Sequence, residues 1–289
     1  MREIIRSPSG LTAVNPEGLP VFSEGSTSMS LIGKVNALAD ASLALIFPQA
    51  CDVCGGSIEA RADGVACGAC WHRTRVFGEA DLICWKCGAP AHGVVPEEKR
   101  QDVRCRRCDG EHYTAARACG AYEGALRASV LALKREPQAP ARLARLMFEA
   151  QQREPLVEAT RVVPVPLSGD RLRERGFNQA AVLAESLSRL ARLPLDEWSL
   201  VRTIHAARHR AGMDERARRE SVEDAFAVHR PRLIEGERVL LVDDVFTTGA
   251  TVSSCAAALK AAGAQAVFVL TAARAVSPSD VRGLRRSRL

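Results

Sequence analysis

One short segment combines acidic, hydroxyl and glycine residues in a spacing that suits a phosphorylated sugar. Residues 239–252 read VLLVDDVFTTGATV, an apolar run followed by two aspartates, a Thr/Gly loop and the start of an alanine-rich stretch. A helix N-terminus presents free N–H groups and the positive end of the helix dipole, so such a loop favours an anion. Two carboxylates directly before it would repel a polyphosphate, whereas they suit ribose hydroxyls. The segment therefore predicts a sugar 5′-phosphate site.

The residues of this segment divide by their chemistry. The threonines add hydroxyl donors, and glycine lets the backbone approach a phosphate closely. The loop lacks the Gly-Lys-Ser/Thr sequence of a Walker A loop. The structural alternative is a strand end followed by a helix with a threonine cap. The candidate binding residues are Asp243, Asp244, Thr247, Thr248, Gly249, Ala250 and Thr251.

Cysteine spacing is the second feature with chemical meaning. Eight of the ten cysteines form four C-x-x-C pairs. One C-x-x-C turn points two thiolates at a tetrahedral ion, and a second turn completes four ligands. Pairing neighbouring turns predicts two ribbons, at 51–70 and 84–108, that bind structural zinc; redox thiols or free core cysteines are the alternatives. The candidate zinc ligands are Cys51, Cys54, Cys67, Cys70, Cys84, Cys87, Cys105 and Cys108, and the nearby His72, His92 and His112 are interpreted as surface residues.

Composition limits the compartment and the class of partner. The N-terminus has no apolar stretch of signal length, so we expect a cytoplasmic protein with reduced thiols. The apolar segment 31–47 contains Lys34, Asn36 and Asp40, which makes it too polar to insert in a membrane. A net charge of +6, carried mostly by arginine, suits phosphate ligands or nucleic acid, although a solvated basic surface explains it equally well.

The elements that must position these residues follow from the apolar pattern. From about residue 115, apolar strands alternate with amphipathic helices, which predicts an α/β domain with a mainly parallel sheet flanked by helices. The predicted strands are 115–122, 161–165, 199–203, 225–228, 238–243 and 266–272. The predicted helices are 124–135, 139–152, 178–192, 214–220 and 249–262. The predicted organisation is a disordered leader at 1–30, a helix at 31–48, a double zinc ribbon at 49–112, the α/β domain at 113–275 and a basic tail at 276–289.

These motifs together resemble a known family. VLLVDDVFTTGAT resembles the phosphoribosyl pyrophosphate (PRPP) motif of type I phosphoribosyltransferases. With VPVPL, RLRERGFNQA and the preceding C-x-x-C pairs, the chain resembles the competence protein ComF family over about residues 31–275. The resemblance implies a double zinc ribbon joined to a type I phosphoribosyltransferase-like domain, and a role in DNA uptake.

The resemblance also implies further ligand residues. It places the pyrophosphate at the turn formed by Val165, Pro166 and Leu167, with Mg²⁺ bridging pyrophosphate and ribose oxygens. Asp243 and Asp244 would then be catalytic. An exposed basic loop is the alternative for the arginines after the turn, and a helix cap is the alternative for Asn178 and Gln179. The candidates for leaving-group charge are Arg171, Arg173, Arg175 and Lys134.

Two classes of function fit these residues. An enzyme would transfer phosphoribose from PRPP to an acceptor and release pyrophosphate. A binding module would sense PRPP or another 5′-phosphoribosyl nucleotide, or handle single-stranded DNA with competence-machinery proteins as partners. In the second case Trp71 and Trp85 would stack on bases; packing beside the zinc sites is the alternative for both. Departures from the family pattern at Arg135–Pro137, Arg210 and Ser221 concern the acceptor pocket and leave the phosphate motif intact.

Overall fold

The computed structural model describes residues 49–203 and 225–276. The leader at 1–30, the helices at 31–48 and 214–220, and all of the 276–289 tail except its first residue lie outside the described residues. So do Arg210 and Ser221. Within the described part of the chain, no helix is both long and apolar enough to cross a membrane.

A parallel four-stranded sheet forms the centre of the α/β region. Its strands are β1 (Ala115–Ala118), β2 (Arg161–Pro164), β5 (Arg238–Phe246) and β6 (Ala266–Arg274), in the order β1-β6-β5-β2. The longest pairing joins β5 to β6, with Leu240 opposite Phe268. Both strands are apolar runs without alternation, which is typical of strands buried on both faces. The predicted mainly parallel sheet is therefore confirmed.

Helices cover both faces of this sheet. Three of them, α2 (Gly124–Ala132), α3 (Ala141–Gln151) and α5 (Gln179–Ala191), pack on the face that includes Leu240 and Val242 of β5. Helix α6 (Ala250–Ala261) packs on the opposite face, with Val239 and Leu241. Successive strand residues point to opposite faces, so one apolar run supplies both cores. Each such buried aliphatic side chain contributes about 1.5–3 kcal/mol.

Two predicted strands form a separate antiparallel pair. Strand β3 (Leu200–Arg202) lies beside β4 (Phe226–Val228), with Leu200 opposite Val228. The chain that joins them lies outside the described residues. The pair places Arg202 at the end of β3.

The arginine-rich segment after β2 is a helix that the sequence pattern did not predict. This helix, α4 (Gly169–Arg175), begins where the Ser168 hydroxyl accepts a hydrogen bond from the N–H of Arg171. It ends at Gly176, which has a positive φ of 77°. A serine N-cap and a glycine in the left-handed region after the last turn are typical helix boundaries.

The eight paired cysteines lie in two loops stabilised by short elements. The first ribbon spans 51–70 and leads into the short helix α1 (Gly68–Arg73); the second spans 84–108. All cysteines in the described residues are free of disulfides. Cys51 and Cys70 belong to the core on the α2–α3 face of the sheet, whereas Cys84, Cys87 and Cys108 belong to the core on the α6 face.

Candidate functional site

Two compact sulfur clusters have the geometry of tetrahedral metal sites. Cys51, Cys54, Cys67 and Cys70 form one, and Cys84, Cys87, Cys105 and Cys108 form the other; within each, all four sulfurs lie within 4.8 Å of one another. The Sγ–Sγ separations include 3.8 Å for Cys54–Cys67, 3.7 Å for Cys84–Cys108 and 3.4 Å for Cys87–Cys105. A tetrahedron with Zn–S bonds of about 2.3 Å has edges of about 3.8 Å. The two donor sets therefore fit zinc.

Backbone donors prepare both clusters for thiolates. The N–H of Cys67 lies 3.3 Å from Cys51 Sγ, and the N–H of Cys105 lies 3.3 Å from Cys84 Sγ. A hydrogen bond with the Cys87 thiol, together with the backbone N–H groups of Cys87, Cys105 and Lys86, lowers the pKa of Cys84 well below its usual range. A thiolate is the form that binds metal. The three neighbouring histidines are exposed and belong to neither cluster: His72, His92 and His112.

A cleft opens at the carboxyl ends of β2 and β5, where open α/β sheets bind their ligands. Its volume is about 450 Å³. The cleft brings together most of the predicted ligand residues, from four separate parts of the chain. The predicted residues that line it are Lys134, Val165, Pro166, Leu167, Arg171, Arg175, Asp243, Asp244, Thr247 and Thr251.

The loop after β5 forms one wall of this cleft. Strand β5 continues past the aspartates to Phe246, three residues beyond the predicted end, because its last residues pair with the end of β6. Gly249 follows with φ of 92° and is the N-cap of α6. A Cβ at Gly249 would lie 2.8 Å from Phe246 Cζ, so this position admits only glycine without displacement. The N–H of Ala250 points toward Thr248 Oγ1, at 3.4 Å.

The two aspartates form a coupled pair. Asp243 Oδ1 accepts a hydrogen bond of 2.8 Å from the N–H of Asp244, and Asp244 Oδ2 accepts one of 3.2 Å from the amide of Gln179. Burial, and then the charge of Asp244, raise the pKa of Asp243 to about 8. Carboxylate oxygens accept hydrogen bonds from hydroxyl groups, so the pair suits a ribose diol.

The arginines of α4 do not all face the cleft. Arg171 and Arg175 are one helical turn apart and share the face that lines it. Arg173 points outward, where its guanidinium pairs with Asp170 at 2.5 Å on an exposed surface. Its prediction as a ligand residue is not supported by this placement, because the unpredicted helix sets its direction. Arg175 has a buried guanidinium nitrogen, Nη1, without a hydrogen-bond partner.

Six lining residues were not among the predicted ligands: Tyr122, Asn178, Gln179, Arg202, Val245 and Ala275. Tyr122, Arg202 and Ala275 follow or end strands, so the rule that sites lie at strand ends could have indicated them. Asn178 has two roles: its Oδ1 caps α5 by accepting from the N–H of Ala180, and its Nδ2 donates to Val165 O at 2.9 Å. The predicted helix cap is therefore present, and it also fixes the turn of β2.

The two ribbon tryptophans are engaged by the protein itself. Trp71 is 2% exposed, its Nε1 donates to Asp63 O at 3.0 Å, and Arg142 lies 4.9 Å over its ring. Of the two interpretations of Trp71, packing beside the zinc site agrees with this burial, because the ring is in the core. Trp85 is partly buried under the Arg117 guanidinium, which lies 4.9 Å from its ring centroid.

Known families match both halves of the chain. A double zinc ribbon domain matches residues 42–109, and a phosphoribosyl transferase domain matches residues 174–283. The DNA utilization protein YhgH of Escherichia coli K12 is 30% identical over 234 residues, which cover 78% of this chain and 96% of that protein. Competence protein F of Haemophilus influenzae is 33% identical over 138 residues, covering 46% of this chain and 60% of that protein.

Solved structures resemble the α/β region only distantly. The glutamine PRPP amidotransferase of B. subtilis, complexed with ADP and GMP, aligns with a TM-score of 0.35 and 19% identity, over 49% of this chain and 30% of that one. The purine phosphoribosyltransferase of Pyrococcus horikoshii aligns with a TM-score of 0.27 and 15% identity, over 52% of this chain and 82% of that one.

Proposed function

Since this chain belongs to the ComF family of proteins with a double zinc ribbon and a phosphoribosyltransferase domain, we propose that its cleft binds PRPP or another 5′-phosphoribosyl ligand. We further propose that it transfers phosphoribose to an acceptor and releases pyrophosphate. One observation carries the proposal: the paired aspartates, Thr247 and Thr251 of the following loop, and Arg175, whose Nη1 has no hydrogen-bond partner, all line a single cleft, whereas Thr248, Gly249 and Ala250 do not line it.

The loop after β5 has the chemistry to hold the 5′-phosphate. Threonine hydroxyls at 247 and 251 line the cleft, and the N–H groups of the first turn of α6 are not used by the helix itself. The helix dipole adds a favourable potential for an anion there. Asp243 and Asp244 then face the ribose hydroxyls in the proposed complex.

The opposite wall has the chemistry to hold pyrophosphate. Arg171, Arg175, Arg202 and Lys134 bring four cationic side chains to a cleft with two carboxyl groups. The turn at 165–167 lies directly between strand β2 and the arginine helix. Guanidinium groups form charge-assisted, often bidentate hydrogen bonds with phosphate oxygens. This surplus of positive charge supports a ligand with more than one phosphate.

Magnesium fits the donor chemistry of the cleft. Asp243 and Asp244 provide hard carboxylate oxygens, the type that Mg²⁺ prefers, while substrate phosphates supply others. When bound, the ion would neutralise charge on the leaving pyrophosphate. The residues that would hold it, directly or through water, are these two aspartates.

The proposed reaction is a displacement at the anomeric carbon of ribose. The bond from that carbon to a pyrophosphate oxygen breaks, the oxygen keeps the electron pair, and a lone pair of the acceptor forms the new bond. Positive charge develops on the ring in the transition state, and the acidic pair stabilises it electrostatically. Arg175 and Lys134 stabilise the negative charge of the departing pyrophosphate.

The zinc sites have no chemical step in this proposal. A site closed by four thiolates has no open coordination position and stabilises the fold. Zinc-binding C-x-x-C pairs are typical of proteins in a reducing compartment, which supports the proposal that the protein is cytoplasmic. The names of its relatives, a DNA utilization protein and competence proteins, support a setting in DNA uptake or use.

Calorimetric titration of the zinc-loaded full chain with PRPP and Mg²⁺ tests the site. We expect saturable binding that weakens at least about tenfold in the double variant Asp243→Asn/Asp244→Asn, because hydrogen bonds to charged groups contribute about 1.5–3 kcal/mol each. The exposed double variant Glu98→Gln/Asp102→Asn removes two carboxyl groups outside the cleft and should bind normally. If the unaltered protein binds neither PRPP nor ribose 5-phosphate, the proposed site is wrong.

Two arginines of one helix test the pyrophosphate wall. Arg175→Gln should weaken PRPP binding about tenfold but ribose 5-phosphate binding much less, since it removes a contact to pyrophosphate. Arg173→Gln removes an exposed arginine of the same helix and should change neither. Pyrophosphate release, measured with a panel of nucleobases and amines, then separates catalysis from the alternative of ligand sensing without turnover.

A further inference from the structure

The phosphate loop packs most closely on one aromatic side chain, Phe246, with the Tyr113 hydroxyl also 3.6 Å from the Cβ position of Gly249. The ring of Phe246 is the surface against which Gly249 turns, with only 2.8 Å between its Cζ and the position of a Cβ. Phe246 is 3% exposed, and its carbonyl accepts a hydrogen bond from the N–H of Ala275. The position of this ring therefore sets how the loop enters α6.

Both C-x-x-C turns of the second ribbon are linked to this ring, the first through Arg274 and the second through Tyr113. From the first C-x-x-C turn, the carbonyl of Cys87 accepts a hydrogen bond of 2.6 Å from Arg274 Nη1, and the Arg274 guanidinium lies 4.2 Å over Phe246. From the second turn, the chain runs five residues past Cys108 to Tyr113, whose ring meets Phe246 edge-on at 6.1 Å. The four thiolates that bind one zinc ion thus hold both supports of Phe246 together.

Two further contacts tie the second ribbon to the same region. The N–H of His112 donates to Ser253 Oγ at 3.0 Å, on the first turns of α6. The carbonyl of Lys86 accepts from the N–H of Ala116 at 2.6 Å, which seats the first turn on β1. Loss of zinc would remove the link between the two C-x-x-C turns of the second ribbon. The contact of Cys87 with Arg274 would then no longer be tied to the segment that carries Tyr113.

We propose that Arg274 is a positioning residue that makes the phosphate loop depend on the zinc of the second ribbon, so that zinc strengthens ligand binding and bound ligand slows zinc loss. The ligand part of this inference rests on the proposed function. Arg274 does not line the cleft; it acts through Phe246. Coupling between two binding equilibria is reciprocal, so the effect must appear in both directions.

Zinc release from the full, zinc-loaded chain into a chromogenic chelator tests the coupling. We expect PRPP to slow the release of one of the two ions about tenfold, the effect of one charge-assisted hydrogen bond. In Arg274→Met this protection should disappear, and Arg274→Lys, which keeps the cation, should recover part of it. Arg142→Met is the matched control, because Arg142 lies over Trp71 beside the first ribbon, and it should keep full protection.

Hydrogen exchange without any ligand gives an independent readout. Peptides covering 244–256 should exchange about tenfold faster in Arg274→Met than in the unaltered protein or in Arg142→Met. Zinc content and a cooperative thermal transition establish that each variant is folded. If Arg274→Met does not fold, Tyr113→Leu removes the second support of Phe246 and should give the same faster exchange.

The outcomes separate the two proposals. The inference would be overturned if peptides covering 244–256 exchange hydrogen equally fast in the unaltered protein and in Arg274→Met, and PRPP slows zinc release equally in both. Faster exchange in Arg274→Met, in a protein that binds no PRPP, would support the positioning role and overturn the proposed ligand instead. If hydrogen exchange is as fast in Arg142→Met as in Arg274→Met, the effect reflects general destabilisation, and this result would also overturn the inference.

Discussion

The two ribbons have the same ligand set and different neighbours. The first packs with α2 and α3 on one face of the sheet, where Arg142 pairs with Asp63 at 2.9 Å and the Thr74 hydroxyl accepts from the N–H of Ala125 at 2.8 Å. The second packs with α6 on the other face and supports Phe246. In our proposal, identical metal chemistry therefore stabilises a helical layer in one case and a ligand loop in the other. Sequence repetition indicates the metal, and the neighbours determine what the metal does.

Removing one buried ligand from each ribbon is the strongest way to break this comparison. Cys70→Ala and Cys108→Ala should each lose one zinc ion and much stability, because structural zinc contributes about 10–16 kcal/mol in zinc-finger peptides. Only Cys108→Ala should also weaken PRPP binding, about tenfold or more. Metal analysis, calorimetric unfolding and ligand titration measure the three effects. Equal loss of affinity in both variants would mean that the ribbons act alike.

The tryptophans test how deeply each ribbon enters the core. Trp71→Ala should lower the free energy of unfolding by about 3–5 kcal/mol, since a buried aromatic leaves a cavity. Trp85→Ala should cost clearly less, because its ring is only partly buried. Urea unfolding monitored by circular dichroism provides the values. A larger loss in the free energy of unfolding for Trp85→Ala would mean that the second ribbon contributes more to stability than the first, contrary to our comparison.

Gly249 tests whether the contact between loop and Phe246 matters for the ligand. Gly249→Ala places a methyl group 2.8 Å from the ring, in a backbone conformation that costs an L-residue about 1–2 kcal/mol. Gly236→Ala has the same type of strain at φ of 75° with nothing within 4 Å of the new atom. We expect both variants to lose stability, Gly249→Ala more because of its contact with the ring, and an affinity loss, about tenfold, in Gly249→Ala alone. Normal PRPP affinity in that variant would remove Phe246 from the binding argument.

Local pattern predicted most of the sheet and the acidic loop, because each depends on consecutive residues. The apolar run before Asp243 indicates a buried strand, and the following glycine and threonines indicate a helix start. The C-x-x-C spacing also indicates the zinc ligands, and the structure shows that neighbouring C-x-x-C turns pair. The direction of the side chains on α4 does not follow from local pattern, because the sequence after Leu167 does not predict a helix. The sequence alone therefore does not distinguish Arg173 from Arg175.

Contacts between distant parts of the chain set the remaining features. Arg274 is separated from Cys87 by 187 positions, and nothing in either segment indicates the other. Trp71 is buried because α3 brings Arg142 over it, which the ribbon sequence alone does not contain. Long-range packing thus determines which ribbon lies beside the proposed ligand loop. Short motifs indicate only that the ribbons and the loop exist.

The pH dependence of stability separates the cleft from both ribbons. Burial and the charge of Asp244 raise the pKa of Asp243 to about 8, above its unfolded value of 3.8. The folded state then binds more protons, so the free energy of unfolding should fall as pH rises from about 4 to about 8, and level off above. Zinc thiolates act in the opposite direction, because protons displace zinc at low pH. Asp243→Asn should flatten the decline toward pH 8 and leave the acid limb unchanged, as measured by thermal unfolding at pH 6 and pH 8.5. If the free energy of unfolding of Asp243→Asn declines toward pH 8 as in the unaltered protein, another group causes the decline and the pKa of Asp243 is not raised.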